Sequence, residues 1–91
     1  LAKECAAKVT VKNRLGLHAR PATAVADCAQ QFKSSVLLRR DDQEIDGKSI
    51  MQIMLLAATQ GVEIEVVARG DDAEEACKAL ADLFDRGFDE E

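Results

Sequence analysis

His18 is the single histidine among 91 residues, and the residues around it are of the types a phosphoryl group needs. It stands between a loop, Asn13 to Gly16, and the start of a helix. From Ala19 onward, small apolar residues recur at Ala22, Val25, Ala26 and Ala29 with helical spacing. Pro21 fits only the first turn of that helix, where its missing N–H costs nothing. The leading N–H groups of a helix have no internal partners and carry the positive end of its dipole, which makes them a ready anion site. Arg20 adds a planar guanidinium that can pair with phosphoryl oxygens. The same positive surroundings disfavour the imidazolium, so a neutral ring with a nitrogen free to attack phosphorus is expected. On local physics alone, a phosphoryl acceptor competes with a partly exposed loop histidine that does no chemistry. A metal site is the weaker reading, because no second His and no paired Cys could complete a coordination sphere.

Ser49 and the residues after it form the second notable group. Ser49 followed by Gln52 has the capping-box spacing, so Ser49 is expected to cap a second helix. That helix carries Ile50, Met51, Ile53, Met54, Leu55 and Leu56 and ends before Gly61. One buried stripe cannot take all of these side chains. Either the helix is enclosed on most sides, or it shows an apolar patch with adaptable methionines, a candidate docking surface.

The elements that must position these groups follow from periodicity. Val9 and Val11 alternate with Lys8, Thr10 and Lys12, as in a half-buried strand. Ser35 to Arg39 and Gln43 to Asp46 read as two strands around the turn Arg40-Asp41-Asp42. Val62, Ile64, Val66 and Ala68 alternate with Glu63, Glu65 and Arg69 in a fourth strand. Asp72 and Glu75 should cap a last helix with an apolar stripe of Ala73, Ala76, Cys77, Leu80, Leu83 and Phe84; Gly87 ends it, leaving an acidic tail. The order is β-α-β-β-α-β-α. Right-handed crossovers and the central hairpin interleave two units into a four-stranded antiparallel sheet with helices on one face, an α+β fold. Periodicity allows strand order 4-1-3-2 or 1-4-2-3.

Bulk properties bound the rest. The length fits one domain over 1–91. With three Phe and neither Trp nor Tyr, the core must come from Ala, Val, Leu, Ile and Met. No apolar run approaches the roughly 20 residues that cross a bilayer, and no secretory signal layout opens the chain, so no membrane insertion is expected. Residue 1 is Leu, which suggests a trimmed start. Cys5, Cys28 and Cys77 are odd in number and widely spaced, as expected of buried, reduced thiols in a reducing compartment, the cytoplasm. The net charge of −5 disfavours nucleic acid. Residues 1–48 hold nine Lys/Arg against six Asp/Glu, and residues 49–91 hold three against eleven, an asymmetry suited to an anionic ligand or acidic partner.

Gly16-Leu17-His18-Ala19-Arg20-Pro21-Ala22 resembles the phosphorylation motif of the histidine-containing phosphocarrier family HPr, from the bacterial phosphoenolpyruvate-dependent phosphotransferase system. The resemblance runs from about Lys8 to Phe88 and includes a second motif, Lys48-Ser49-Ile50-Met51-Gln52-Ile53-Met54. It implies an open-faced β-sandwich with strand order 1-4-2-3. It implies that His18 is phosphorylated at Nδ1 by phospho-enzyme I and donates to a histidine of an EIIA-type domain. Arg20 and the backbone N–H of Ala19 would hold the phosphate. Leu17, Thr23, Lys48, Ile50, Met51 and Met54 would meet partners, and the chain would act as a monomer without cofactor, a carrier rather than a free-standing enzyme. Ser49 matches the serine modified by HPr kinase/phosphorylase; a phosphate there would add nearly two negative charges beside the docking patch. Leu83 to Glu90 instead resembles the end of NPr, the carrier of the nitrogen-related branch. The rivals are a binding-only regulator acting through the second helix and a ferredoxin-like RNA-binding module. The latter stacks bases on sheet aromatics, and no aromatic lies in any of these strands.

Overall fold

The computed structural model describes residues 3–90. Strand β1 (Glu4–Thr10) leads to helix α1 (Ala19–Gln30), then β2 (Ser35–Arg40), β3 (Gln43–Asp46), α2 (Ile50–Leu55), β4 (Glu63–Arg69) and α3 (Ala73–Asp85), with a 3-10 turn at Gly87–Asp89. The sheet order is β1-β4-β2-β3 and every pairing is antiparallel. Of the two orders that periodicity allowed, this is the one the resemblance implied.

Period-two alternation builds the core. Val9, Ile64, Val66, Ala68, Val36 and Leu38 point inward and are buried, while Lys8, Thr10, Glu63, Arg69 and Ser35 lie on the open face. Against the inward residues pack Val25, Ala26 and Ala29 of α1, Ile53 of α2, and Ala76, Leu80 and Phe84 of α3. β1 starts at Glu4, ahead of Lys8 where its alternation becomes visible. Its early residues Cys5, Ala6 and Ala7 are all small, so no contrast of polarity marks the pleat, yet Glu4 is already in register with Arg69.

The capping expectations hold in part. Ser49 Oγ accepts the N–H of Gln52 at 3.3 Å, but the reciprocal half of the box is absent: Gln52 Oε1 accepts from Asp46 N–H at 2.9 Å. Asp72 occupies the N-cap of α3 without capping it. Its carboxylate takes the N–H groups of Lys33 and Ser34, both at 2.9 Å, and the Ser34 hydroxyl at 2.5 Å, tying the α1–β2 connection to α3. The Ser34 hydroxyl bond, followed by the Lys33 N–H, lowers the Asp72 carboxyl to about 2. A carboxylate lowered on folding stabilises fully above its unfolded value of about 3.9, and that stabilisation disappears as pH falls toward the folded value. The stability gap between the parent chain and Asp72→Asn should therefore narrow between about pH 4 and about pH 2 in urea titrations. A gap constant across that window would show that ionisation of Asp72 contributes nothing.

Candidate functional site

His18 is the N-cap of α1, in extended conformation with φ −77° and ψ −172°, and its side chain makes no cap bond. The imidazole is therefore not tied to the helix it starts. Two contacts fix the loop before it. Leu17 N–H donates to Ala58 O at 2.9 Å, and His18 N–H to Gly16 O, also at 2.9 Å. Gly16 has φ +72°, and an added Cβ would lie 2.5 Å from Ala58 O, so glycine is required there by both torsion and space. The segment it rests on is held in turn by Arg40, whose guanidinium donates to Leu56 O at 2.7 Å and Ala57 O at 3.2 Å, closing the end of α2. Gly16, Ala58 and Arg40 thus link the His18 loop mechanically to α2.

The imidazole, 36% exposed, meets a carboxylate. His18 Nε2 lies 3.1 Å from Glu90 Oε1, and Arg20 Nη1 lies 3.3 Å from Glu90 Oε2. Asn13 Nδ2 donates to the same Oε1 at 2.9 Å and to Gly16 O at 2.8 Å. Arg20 also donates to Phe88 O at 3.4 Å. Desolvation works to raise the Glu90 carboxyl, but the hydrogen bonds from His18 and Asn13 and the charges of His18 and Arg20 outweigh it and hold it below the usual range. An anion is therefore already accommodated between the histidine and the arginine. When the ring is neutral and donates its Nε2 proton to Glu90, Nδ1 keeps its lone pair.

Glu90 and Asn13 were not among the residues singled out from the sequence. The sequence shows an acidic tail there, and in the structure Gly87 (φ +61°) turns it back and Phe88 is buried edge-on against Phe84, with ring centroids 4.9 Å apart. A large aromatic two residues before Glu90, just past a helix-ending glycine, was the available signal.

The remaining candidates are divided. Thr23, one turn below Ala19, is exposed and donates its hydroxyl to Ala19 O at 2.8 Å. Met51 is 80% exposed and Leu55 69%; Ile50, Met54 and Leu15 are exposed as well. α2 thus buries Ile53 and turns an apolar face outward, beside the loop that carries His18. Lys48 and Leu17 are placed differently from the rest of the expected partner-facing set. Lys48 Nζ is turned to Phe32 O at 2.8 Å, and Leu17 is only 5% exposed. Ser49 lies half-buried at the start of α2. Among the described residues no group of three or more His, Cys, Asp or Glu could hold a metal ion, and no helix is long and apolar enough to cross a membrane.

Strand order β1-β4-β2-β3, helices on one face and a histidine opening the first helix define a class, the histidine phosphocarriers. The family signature described as "PTS HPr component phosphorylation site" matches residues 5–86. Phosphocarrier protein HPr of Neisseria meningitidis serogroup A is 44% identical over 82 residues, spanning 90% of this chain and 92% of that protein. Phosphocarrier protein NPr of Escherichia coli K12 is 42% identical over 84 residues, spanning 91% and 93%. The crystal structure of HPr-C-His from Thermoanaerobacter tengcongensis superimposes with a TM-score of 0.92 at 42% identity, covering 96% of this chain and 98% of that one. The chain belongs to the HPr family and is a phosphocarrier of the phosphotransferase system, not a free-standing catalyst.

Proposed function

We propose that His18 accepts a phosphoryl group at Nδ1 from phospho-enzyme I in the cytoplasm and passes it to an EIIA-type domain, with the chain acting as a monomeric single-domain carrier. The observation that carries this reading is the anion already seated between His18 and Arg20. In the transfer, the Nδ1 lone pair forms a bond to phosphorus as the bond to the donor nitrogen breaks, and that nitrogen recovers its electron pair. The Ala19 N–H, the first inside α1 and without an acceptor in the helix, and the Arg20 guanidinium hold the phosphoryl oxygens. Glu90 keeps the Nε2 proton in place but competes for Arg20, so its carboxylate must withdraw as PO₃ arrives. Positioning and charge supply most of phosphoryl-transfer catalysis, so no base is required in this chain.

Partners dock on the apolar face of α2, chiefly Ile50, Met51 and Met54, next to Thr23. A phosphate placed on Ser49 by an HPr kinase/phosphorylase-type enzyme would lie at the rim of that face, adding charge that repels acidic partners while the helix start tolerates it. Sugar uptake and its regulation is the branch we assign. The Leu83–Glu90 stretch favours a second reading, the nitrogen-related carrier, because this tail builds part of the His18 site. Comparing kcat/KM toward a sugar-type and a nitrogen-type EIIA separates the two.

Incubation with enzyme I and phosphoenolpyruvate should give an acid-labile adduct on His18 that moves to EIIA. An unchanged mass and no transfer would leave a binding-only regulator. Two variants test the anion site. Arg20→Ala should slow transfer about tenfold without abolishing it, the worth of one charge-assisted hydrogen bond. Glu90→Gln keeps an acceptor for Nε2–H but removes the competing charge, and should speed acceptance severalfold. An unchanged rate in Arg20→Ala would show that Arg20 is not the phosphate's partner.

A further inference from the structure

Two thiols that phosphotransfer does not use meet at the other end of β1 from the His18 loop. Cys5 lies on this edge strand opposite Ala68 and packs against the core. Cys77 lies on the second turn of α3 and is buried. Cys77 Sγ donates to Cys5 O at 3.1 Å. A sulfur held that close to the backbone of the other cysteine is within reach of its Cβ–Sγ arm once the side chain rotates. The third thiol, Cys28, sits half-buried on α1.

We propose that Cys5 and Cys77 form a reversible redox modification site that staples β1 to α3, taking a small-molecule disulfide of the glutathione type as oxidant. Cys5, the half-buried and more accessible thiol, reacts first. Its sulfur attacks one sulfur of the small disulfide, and the departing small thiolate takes up the Cys5 proton. Cys77 then attacks the Cys5 sulfur of the mixed disulfide, and its proton leaves with the second small thiol. One small disulfide is reduced to two thiols and one protein S–S bond forms.

The two steps differ in pH sensitivity. Burial, reinforced by the hydrogen bond and charge of Cys5, pushes the Cys77 thiol up to about 12. Since the thiolate is the nucleophile, closure by Cys77 is the slow step and quickens as pH rises. Closure at neutral pH is therefore slow and needs prolonged exposure to the oxidant. Among the described residues β1 pairs with β4 alone, so a bond to α3 adds a covalent hold to the packing between them. The cysteines bracket most of the chain, and their closure removes freedom mainly from the unfolded state.

The test uses the full chain carrying Cys28→Ser, incubated with oxidised glutathione at mildly alkaline pH and alkylated afterwards. The expected result is an intact mass lower by two hydrogens, a tryptic link between the Cys5 and Cys77 peptides, and full reversal by dithiothreitol. Amides of β1 should exchange more slowly in the oxidised form, while phosphoryl acceptance at His18 is unchanged. Cys77→Ser should stall at a glutathione adduct on Cys5, and Cys5→Ser should leave Cys77 unmodified; matching circular dichroism shows that both fold. A stable adduct on Cys5 with Cys77 still alkylatable in the Cys28→Ser chain would overturn the proposal. So would both thiols staying free, or linkage only between chains.

Discussion

His18→Ala should yield a chain that folds as before and takes up no phosphoryl group. The imidazole is partly exposed, and its side-chain hydrogen bond runs to Glu90, so truncation opens no cavity in the core. Its backbone already serves the helix, since Ala22 N–H donates to His18 O at 2.9 Å, and alanine keeps that bond. Surface substitutions outside packed or networked positions change stability by about 0.5 kcal/mol or less. Losing the Nε2 contact leaves Glu90 with Asn13 and Arg20, so the tail keeps two of its holds. Chemistry is affected without compensation, because a covalent acceptor has no partial substitute. Labelled phosphoenolpyruvate with enzyme I should give no acid-labile label on the variant, and its urea midpoint should match the parent's. Label retained on His18→Ala would place the acceptor elsewhere and remove the basis for the carrier reading of this site.

What could be read from the residue string, and what could not, divides by the range of the cause. The alternation in β4 and the stripe on α3 are local patterns with strong polarity contrast, and both elements lie where the pattern puts them. His18 at the helix start was legible for the same reason, because Pro21 and the small-residue spacing act within two turns. Long-range competitors decided the remainder. Leu56, Ala57 and Ala58 are residues a helix accepts readily, yet α2 stops at Leu55 and Ala57 adopts φ +50°. Arg40, from a different strand, supplies donors to the carbonyls at the helix end, and Ala58 is taken by Leu17. Asp72 stands where a cap belongs, but three donors from the α1–β2 connection outweigh the one bond a cap would make. Glu90 read only as part of an acidic tail because Phe88, two residues before it, does not by itself report that the chain turns back at Gly87 and anchors in the core. Each case is a polar group whose best partner lies far along the chain, which short-range periodicity cannot register.

Gly16→Ala should be the most damaging small substitution near the site, and the reason is measurable apart from ordinary glycine effects. At φ +72° an alanine carries left-handed strain of about 1–2 kcal/mol. Its Cβ would also stand 2.5 Å from Ala58 O and 3.0 Å from Thr59 Cα, both backbone atoms that no rotamer change can move aside. Relief requires the loop to back away from the segment after α2, stretching the Leu17–Ala58 bond; overpacking of this kind costs about 1–3 kcal/mol. The combined loss is about 3 kcal/mol. Gly61 provides the control. It has φ +91°, yet nothing lies within 4 Å of the position its Cβ would take, so Gly61→Ala should lose the strain alone. The urea midpoint of Gly16→Ala should therefore fall clearly below that of Gly61→Ala. Phosphoryl acceptance should diverge further still, since displacing His18 by about 1 Å can cost on the order of a hundredfold in rate, whereas an alanine at Gly61 pushes on nothing. Equal midpoints and equal rates in the two variants would show that the Gly16–Ala58 contact neither carries load nor positions the imidazole.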